Sequence, residues 1–135
     1  MKLMVEVRAD GRPVAALVAP ADRAESHLVE PLLEAGGRAA LPTALLADKA
    51  YDDDRLRAAL NERGVRLLAP HRSNRTKSRS NDGRRLRRCK RRWVVERTIA
   101  WLHAFRRLLV RHERYAFVFN GFVSLACLIT TARAL

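Results

Sequence analysis

Along KLMVEVRADGRPVAALVAP, residues 2–20, Leu3, Val5 and Val7 alternate with Met4, Glu6 and Arg8. A period of two marks a half-buried strand, and Asp-Gly between two such runs is a hairpin signal. The pattern predicts a hairpin that turns at Asp10-Gly11, returns along residues 13–19 and closes at Pro20. From Ala24 to Ala35 the spacing becomes helical, with Leu28, Leu32 and Leu33 on one side and Gly36-Gly37 at the end. TALLA, residues 43–47, is a short apolar run after Pro42 that fits a buried strand and leads into Asp48. Asp53 or a neighbour caps a helix lined by Leu56, Ala59 and Leu60, which stops at Gly64, and VRLLAP, residues 65–70, is a further strand. HRSNRTKSRSNDGRR has no period and reads as a basic loop. A long helix from about Arg85 to Val110 then carries the stripe Val94, Trp101, Phe105 and Leu108, widened by Val95, Ile99, Leu102 and Leu109. A second helix covers most of 115–133.

The order of elements points to a single domain, residues 1–135, of the α/β class with a mixed sheet and flanking helices. No repeat or linker interrupts it. The opening hairpin has no partner strand before it.

Charge changes this picture more than composition does. With 48% hydrophobic and 30% charged residues the chain is globular, not disordered. Lys and Arg number 27 against 14 Asp and Glu, a net charge of +13. Such a chain calls for a polyanion, nucleic acid first and an anionic membrane surface second. Acids and bases nearly balance before His71, whereas from Arg72 to Arg111 the acids are Asp82 and Glu96 alone. That asymmetry is a footprint for phosphate.

Cys89 and Cys127 are far apart, and MKLMVEVRAD has no apolar run of leader length. Free thiols and a cytoplasmic location are therefore expected. Residues 115–132 carry no charge and reach the length of a membrane span, about 18 residues. Asn120, Gly121, Ser124, Thr130 and Thr131 favour a core helix instead. His71 and His112 lack partners at zinc-ligand spacing.

Two carboxylates stand apart from the ordinary ones. Asp52, Asp53 and Asp54 fit a helix cap and its first turn. Asp48 lies before that helix, at the carboxyl end of a strand, where ligands bind in open α/β sheets. Its alternative is a turn carboxylate. Glu96 sits at the border of the apolar face of its helix, with Arg92 four residues back. Its alternative is an Arg92–Glu96 ion pair worth a few tenths of a kcal/mol, roughly 0.2–0.5. Joined, the two would suit divalent metal chemistry on phosphate, for which a third carboxylate is missing.

LLADKAYDDDRLRAAL, LLAPHRSNR, RCKRRWVVERTIAWLHAFRRLLVRHER and FNGFVSLACLI resemble, in order, the DDE-type transposases of bacterial insertion sequences. LMVEVRADGRPVAALVAPADRAES resembles the hairpin and helix entrance of the same domain, so the likeness covers nearly the whole chain. It implies an RNase H-like fold, a mixed sheet with flanking helices. It also implies an Asp–Asp–Glu triad holding two divalent cations, Mg²⁺ or Mn²⁺. The chemistry implied is hydrolytic nicking at the element's ends, then joining of the freed 3′-hydroxyl to target DNA.

The family's second aspartate falls on Asp48 and its glutamate on Glu96. A family signature sets a tyrosine, an arginine three later, the glutamate four after that and a lysine seven further on. Arg92 and Glu96 match it, while Cys89 stands at the tyrosine position and His103 at the lysine position. No residue here supplies the first aspartate, and Asp10 in the turn is misplaced for it. The resemblance thus implies a domain truncated at its N-terminus, with the first strand missing and the isolated chain inactive unless an upstream reading frame completes it. DNA, as element ends and target, is the expected partner. The candidate contacts are Arg72, Arg75, Lys77, Arg79, Lys90, Arg91, Arg92, His103 and Arg107. Association with an upstream-frame product or a second copy is expected, and a membrane is not. Trp101 is expected in the core, and Trp93 either in the core or stacked on a flipped base. The alternative reading is a non-catalytic DNA-binding or regulatory remnant, or an inert product of a decayed element.

Overall fold

The computed structural model describes residues 1–37, 41–76 and 83–133, with backbone alone at 85 and 86. Lys77, Arg79 and Asp82 lie outside the described residues. The hairpin forms as expected. β1 (Lys2–Val7) pairs antiparallel with β2 (Pro13–Ala19), Leu3 opposite Val18 and Val5 opposite Ala16. Gly11 turns the chain at φ +96°, a conformation that favours glycine, and Asp10 Oδ1 accepts the Arg12 N–H at 3.0 Å. Both faces of the hairpin are covered. Met4, Ala15 and Ala19 pack with Leu28 and Leu32, while Leu3, Val5, Ala16 and Val18 pack under Leu102, Phe119 and Val123.

A 3₁₀ turn, Glu25–Leu28, leads into α1 (Val29–Ala35). β3 (Ala44–Leu46) and β4 (Arg66–Leu68) pair in parallel, joined across α2 (Asp54–Glu62). Asp53 caps α2, accepting the N–H groups of Arg55 at 2.8 Å and Leu56 at 3.4 Å. Val29 and Leu33 of α1, Leu56 and Leu60 of α2, and Val65, Leu67 and Ala69 form one buried cluster. Among the described residues the expected single mixed sheet is two separate two-stranded ladders, one antiparallel and one parallel. Three-residue strands leave little edge to share, and side chains do the joining: Tyr51 packs against both clusters.

The long helix expected over residues 85–110 is broken. α3 (Gly83–Leu86) passes through a 3₁₀ segment, Arg87–Arg92, into α4 (Trp93–His103), and α5 (Arg106–Leu109) follows a bend. Phe105 adopts extended backbone there, φ −79° and ψ 110°. The bend lets Leu102, Phe105 and Leu108 join one cluster with Phe119 and Val123. The buried face of α4 meets the expectation at Val94 and Leu102 but not at Trp101. Val94, Thr98 and Leu102 are buried, and Trp101 is 43% exposed. A threonine can hold that core position because its hydroxyl is satisfied: Thr98 Oγ1 donates to the Gly11 carbonyl at 2.7 Å and lies 3.0 Å from the Val94 carbonyl.

α6 (Ala116–Arg133) meets the measure of a membrane span by length and composition, yet it docks on the hairpin through Phe119, Val123 and Ala126. Its other side leaves Phe117, Leu125 and Leu128 exposed.

Candidate functional site

Asp48 follows β3 directly, in extended backbone. Its Oδ1 accepts the Ala50 N–H at 2.6 Å, capping the 3₁₀ turn Lys49–Tyr51. The side chain is exposed. Just before it, the Ala47 N–H donates to the Leu68 carbonyl at 3.1 Å. The Cys89 thiol donates to the same carbonyl at 3.5 Å. The segment that delivers Asp48 and the turn that leads into the helix of Glu96 therefore meet at the end of β4. Burial pushes the Cys89 thiol up despite the nearby Arg92.

Glu96 lies in the first turn of α4, exposed. Its carboxylate has no hydrogen bond or ion pair among the described residues, and the Arg92–Glu96 pair does not form. An exposed pair worth roughly 0.2–1 kcal/mol does not hold two long side chains in one geometry. Among the described residues no three of His, Cys, Asp and Glu cluster to hold a metal.

The sequence reading missed a third carboxylate of consequence. Of the acidic run, Asp53 caps the helix, whereas the Asp52 side chain is 1% exposed. Its Oδ1 lies 3.0 Å from Arg57 Nη2, 3.0 Å from His71 Nδ1 and 3.1 Å from Arg75 Nη1. Its Oδ2 accepts the Arg72 N–H at 3.0 Å. Burial pushes the Asp52 carboxyl up, but the Arg72 N–H, the His71 hydrogen bond and the charges of His71 and Arg75 outweigh it and hold the group below its ordinary range. Arg57 continues to the Leu67 carbonyl at 3.1 Å, and Arg75 to Asp54 at 2.8 Å.

Arg72 connects this hub to Asp48. Its Nε donates to the Lys49 carbonyl at 3.1 Å and its Nη2 to the Ala50 carbonyl at 2.7 Å. It grips the turn that Asp48 caps. Arg72 and Arg75, both candidate DNA contacts, thus direct donors at the protein itself. The signal lay in HRSNR following one strand of a parallel pair while DKAYD follows the other.

The remaining basic candidates vary in freedom. Lys90, Arg91 and His103 are exposed and Arg92 is half-buried. Arg107 donates to Glu113 at 2.8 Å and lies over the Phe122 ring at 5.3 Å. That hydrogen bond holds the Glu113 carboxyl below its ordinary range, against the effect of burial.

Residues 1–131 match the family described as Transposase DDE domain. A Burkholderia cepacia protein named as a transposase for insertion sequence element IS402 is 39% identical over 127 residues. The match covers 88% of this chain and 56% of that relative, so the chain spans little more than half the relative's length. No solved structure matches. The α/β architecture of small sheets and helices is consistent with the family match, and the chain belongs to the DDE domain family of insertion-sequence transposases.

Proposed function

We propose that this chain carries Asp48 and Glu96 to DNA for metal-dependent strand cleavage and transfer, within an RNase H-like catalytic domain to which another segment contributes the third ligand. The observation that carries the reading is Glu96, an exposed carboxylate with no hydrogen bond or ion pair among the described residues, inside the most basic stretch of the chain. The donor set fits Mg²⁺ or Mn²⁺, which prefer carboxylate oxygens and retain waters. Among the described residues Asp48 commits one oxygen to Ala50 and Glu96 commits neither. When bound, a pair of such ions activates the attacking water or hydroxyl and stabilises the leaving oxygen.

The chain's own residues do the rest. Arg72 fixes the turn bearing Asp48 through two carbonyls. Lys90, Arg91, Arg92 and His103 line the approach to Glu96 and hold the phosphodiester backbone, fixing its register without reading sequence. The partners on this reading are element ends and target DNA in the cytoplasm, with a second copy or an upstream product completing the assembly.

The test is excision of the element in cells. Asp48→Asn and Glu96→Gln should each abolish it, whereas Glu62→Gln, an exposed acid at the end of α2, should not. Excision that survives Glu96→Gln contradicts the proposal. Because no third ligand clusters among the described residues, a second reading is a non-catalytic DNA-binding role. Wild-type DNA binding with no excision under any completion of the chain would favour it.

A further inference from the structure

α6 is apolar on both of its sides. Phe119, Val123, Ala126 and Thr130 lie on the buried side. Phe117, Gly121, Ser124, Leu125 and Leu128 fall opposite them, within an arc of about 100°. Phe117 is 75% exposed, Leu125 51% and Leu128 65%. A helix that is apolar all round belongs in an interior. Only one side of α6 has found its interior within the chain.

Charge and shape say what covers the other side. Residues 115–132 carry no charge in a chain of net +13. Two copies repel wherever their arginines meet, and along this stripe they do not meet. The stripe is also complementary to itself. Leu125 protrudes, and Gly121, one turn away, is a notch where a Cβ would meet nothing within 4 Å. Phe117 and Leu128 lie about one turn farther out on either side. Turned end for end, the same stripe offers Leu125 to Gly121, Gly121 to Leu125, and Phe117 to Leu128 at each end. An interface between identical surfaces about a two-fold axis requires that match. Ser124, beside the axis, donates to its own Asn120 carbonyl at 3.0 Å and can be buried without another partner. A mid-helix glycine costs helical stability relative to alanine, and no contact among the described residues calls for one at Gly121.

We propose that α6 packs antiparallel on α6 of a second copy through Phe117, Gly121, Leu125 and Leu128. The inference gives a surface to the second copy invoked above, and it does not depend on how Asp48 and Glu96 act. At each end Arg114 of one copy comes beside Arg133 of the other, so salt that screens them tightens the pair. DNA binding responds to salt in the opposite direction.

The test is sedimentation velocity of the full chain, freed of nucleic acid, across a wide range of concentration at low and high salt. A monomer–dimer equilibrium should appear and move toward dimer as salt rises. Leu125→Glu should weaken it about 30-fold or more. Gly121→Ala should weaken it about 5-fold or more. The same variant should raise the thermal stability of the dilute monomer, a combination that misfolding cannot produce. Oxidative cross-linking, with Cys89 and Cys127 replaced by alanine, reads the orientation. Phe117→Cys copies should join Leu128→Cys copies in a mixture and should not join one another. A monomer at every concentration and salt overturns the proposal and leaves the reading of Asp48 and Glu96 standing. A dimer indifferent to both Leu125→Glu and Gly121→Ala also overturns it, as does Phe117→Cys cross-linking to itself. So does a monomer that binds phosphatidylcholine vesicles and loses that binding in Leu125→Glu, because the stripe then meets lipid.

Discussion

Replacing Asp52 by alanine removes the buried carboxylate that joins Arg57 of α2 to the segment after β4. Its side chain is 1% exposed, and it accepts from Arg57, His71, the Arg72 N–H and Arg75. Removing one partner of a buried ion pair typically costs about 3–5 kcal/mol, because the other charge is stranded. The stranded groups here are not sealed: the side chains of Arg57 and Arg75 retain 11% and 12% exposure and would recover some water. We therefore expect about 2–4 kcal/mol for Asp52→Ala, a large share of the roughly 5–15 kcal/mol that holds a domain of this size. In thermal unfolding that is a fall in Tm of about 7–14 °C. The pH dependence carries the signature. The folded-state carboxyl lies below its ordinary value, so its contribution is complete above the unfolded pKa, near 4, and disappears as pH falls through the depressed folded value. The gap between wild type and Asp52→Ala should be flat near neutrality and narrow below about pH 4. A loss under about 1 kcal/mol, the level of a surface pair, or a gap that persists unchanged into acid, would refute the argument.

Thr98→Val keeps the shape of the α4 core position but leaves the Gly11 carbonyl without its 2.7 Å donor, and should cost about 1–2 kcal/mol in denaturant unfolding. Gly11→Ala places a side chain at φ +96° and pushes on Arg97, and should cost about 1–3 kcal/mol while shifting tryptophan emission as the guanidinium leaves the rings. DNA affinity should fall steeply with salt, and Lys90→Ala and Arg91→Ala should each flatten the log–log slope by about 0.9. A salt-independent affinity would contradict the electrostatic reading of the +13 charge.

What could be read from the sequence was what short range decides. Asp10-Gly11 set the hairpin and its alternation set the register, and Asp53 capped α2 as its position before an apolar run implies. What could not be read depended on distant contacts. Thr98 was absent from the apolar stripe read for α4, which held Val94 and Leu102 correctly but placed Trp101 in the core. The Thr98 hydroxyl is satisfied by a carbonyl 87 residues back, which no local pattern reveals. The bend at Phe105 has no glycine or proline to announce it and follows from the cluster that Phe105 and Leu108 join. Asp52 was indistinguishable from its neighbours Asp53 and Asp54, because its partners His71, Arg72 and Arg75 come from some twenty residues away through the parallel pairing of β3 with β4. Asp48 and Glu96 stood apart by position and were joined by the resemblance, and the structure adds that Glu96 has no hydrogen bond or ion pair among the described residues and that the two segments meet at the Leu68 carbonyl.

The most direct measurement is a Mn²⁺ titration of the isotopically labelled chain, followed by paramagnetic broadening of its backbone amide signals. If Asp48 and Glu96 face one metal site, amides around residue 48 and around residue 96 broaden first and together, and Asp48→Asn or Glu96→Gln weakens the effect at both places. Broadening that is confined to one segment, centres elsewhere, or is unchanged in both variants contradicts the account.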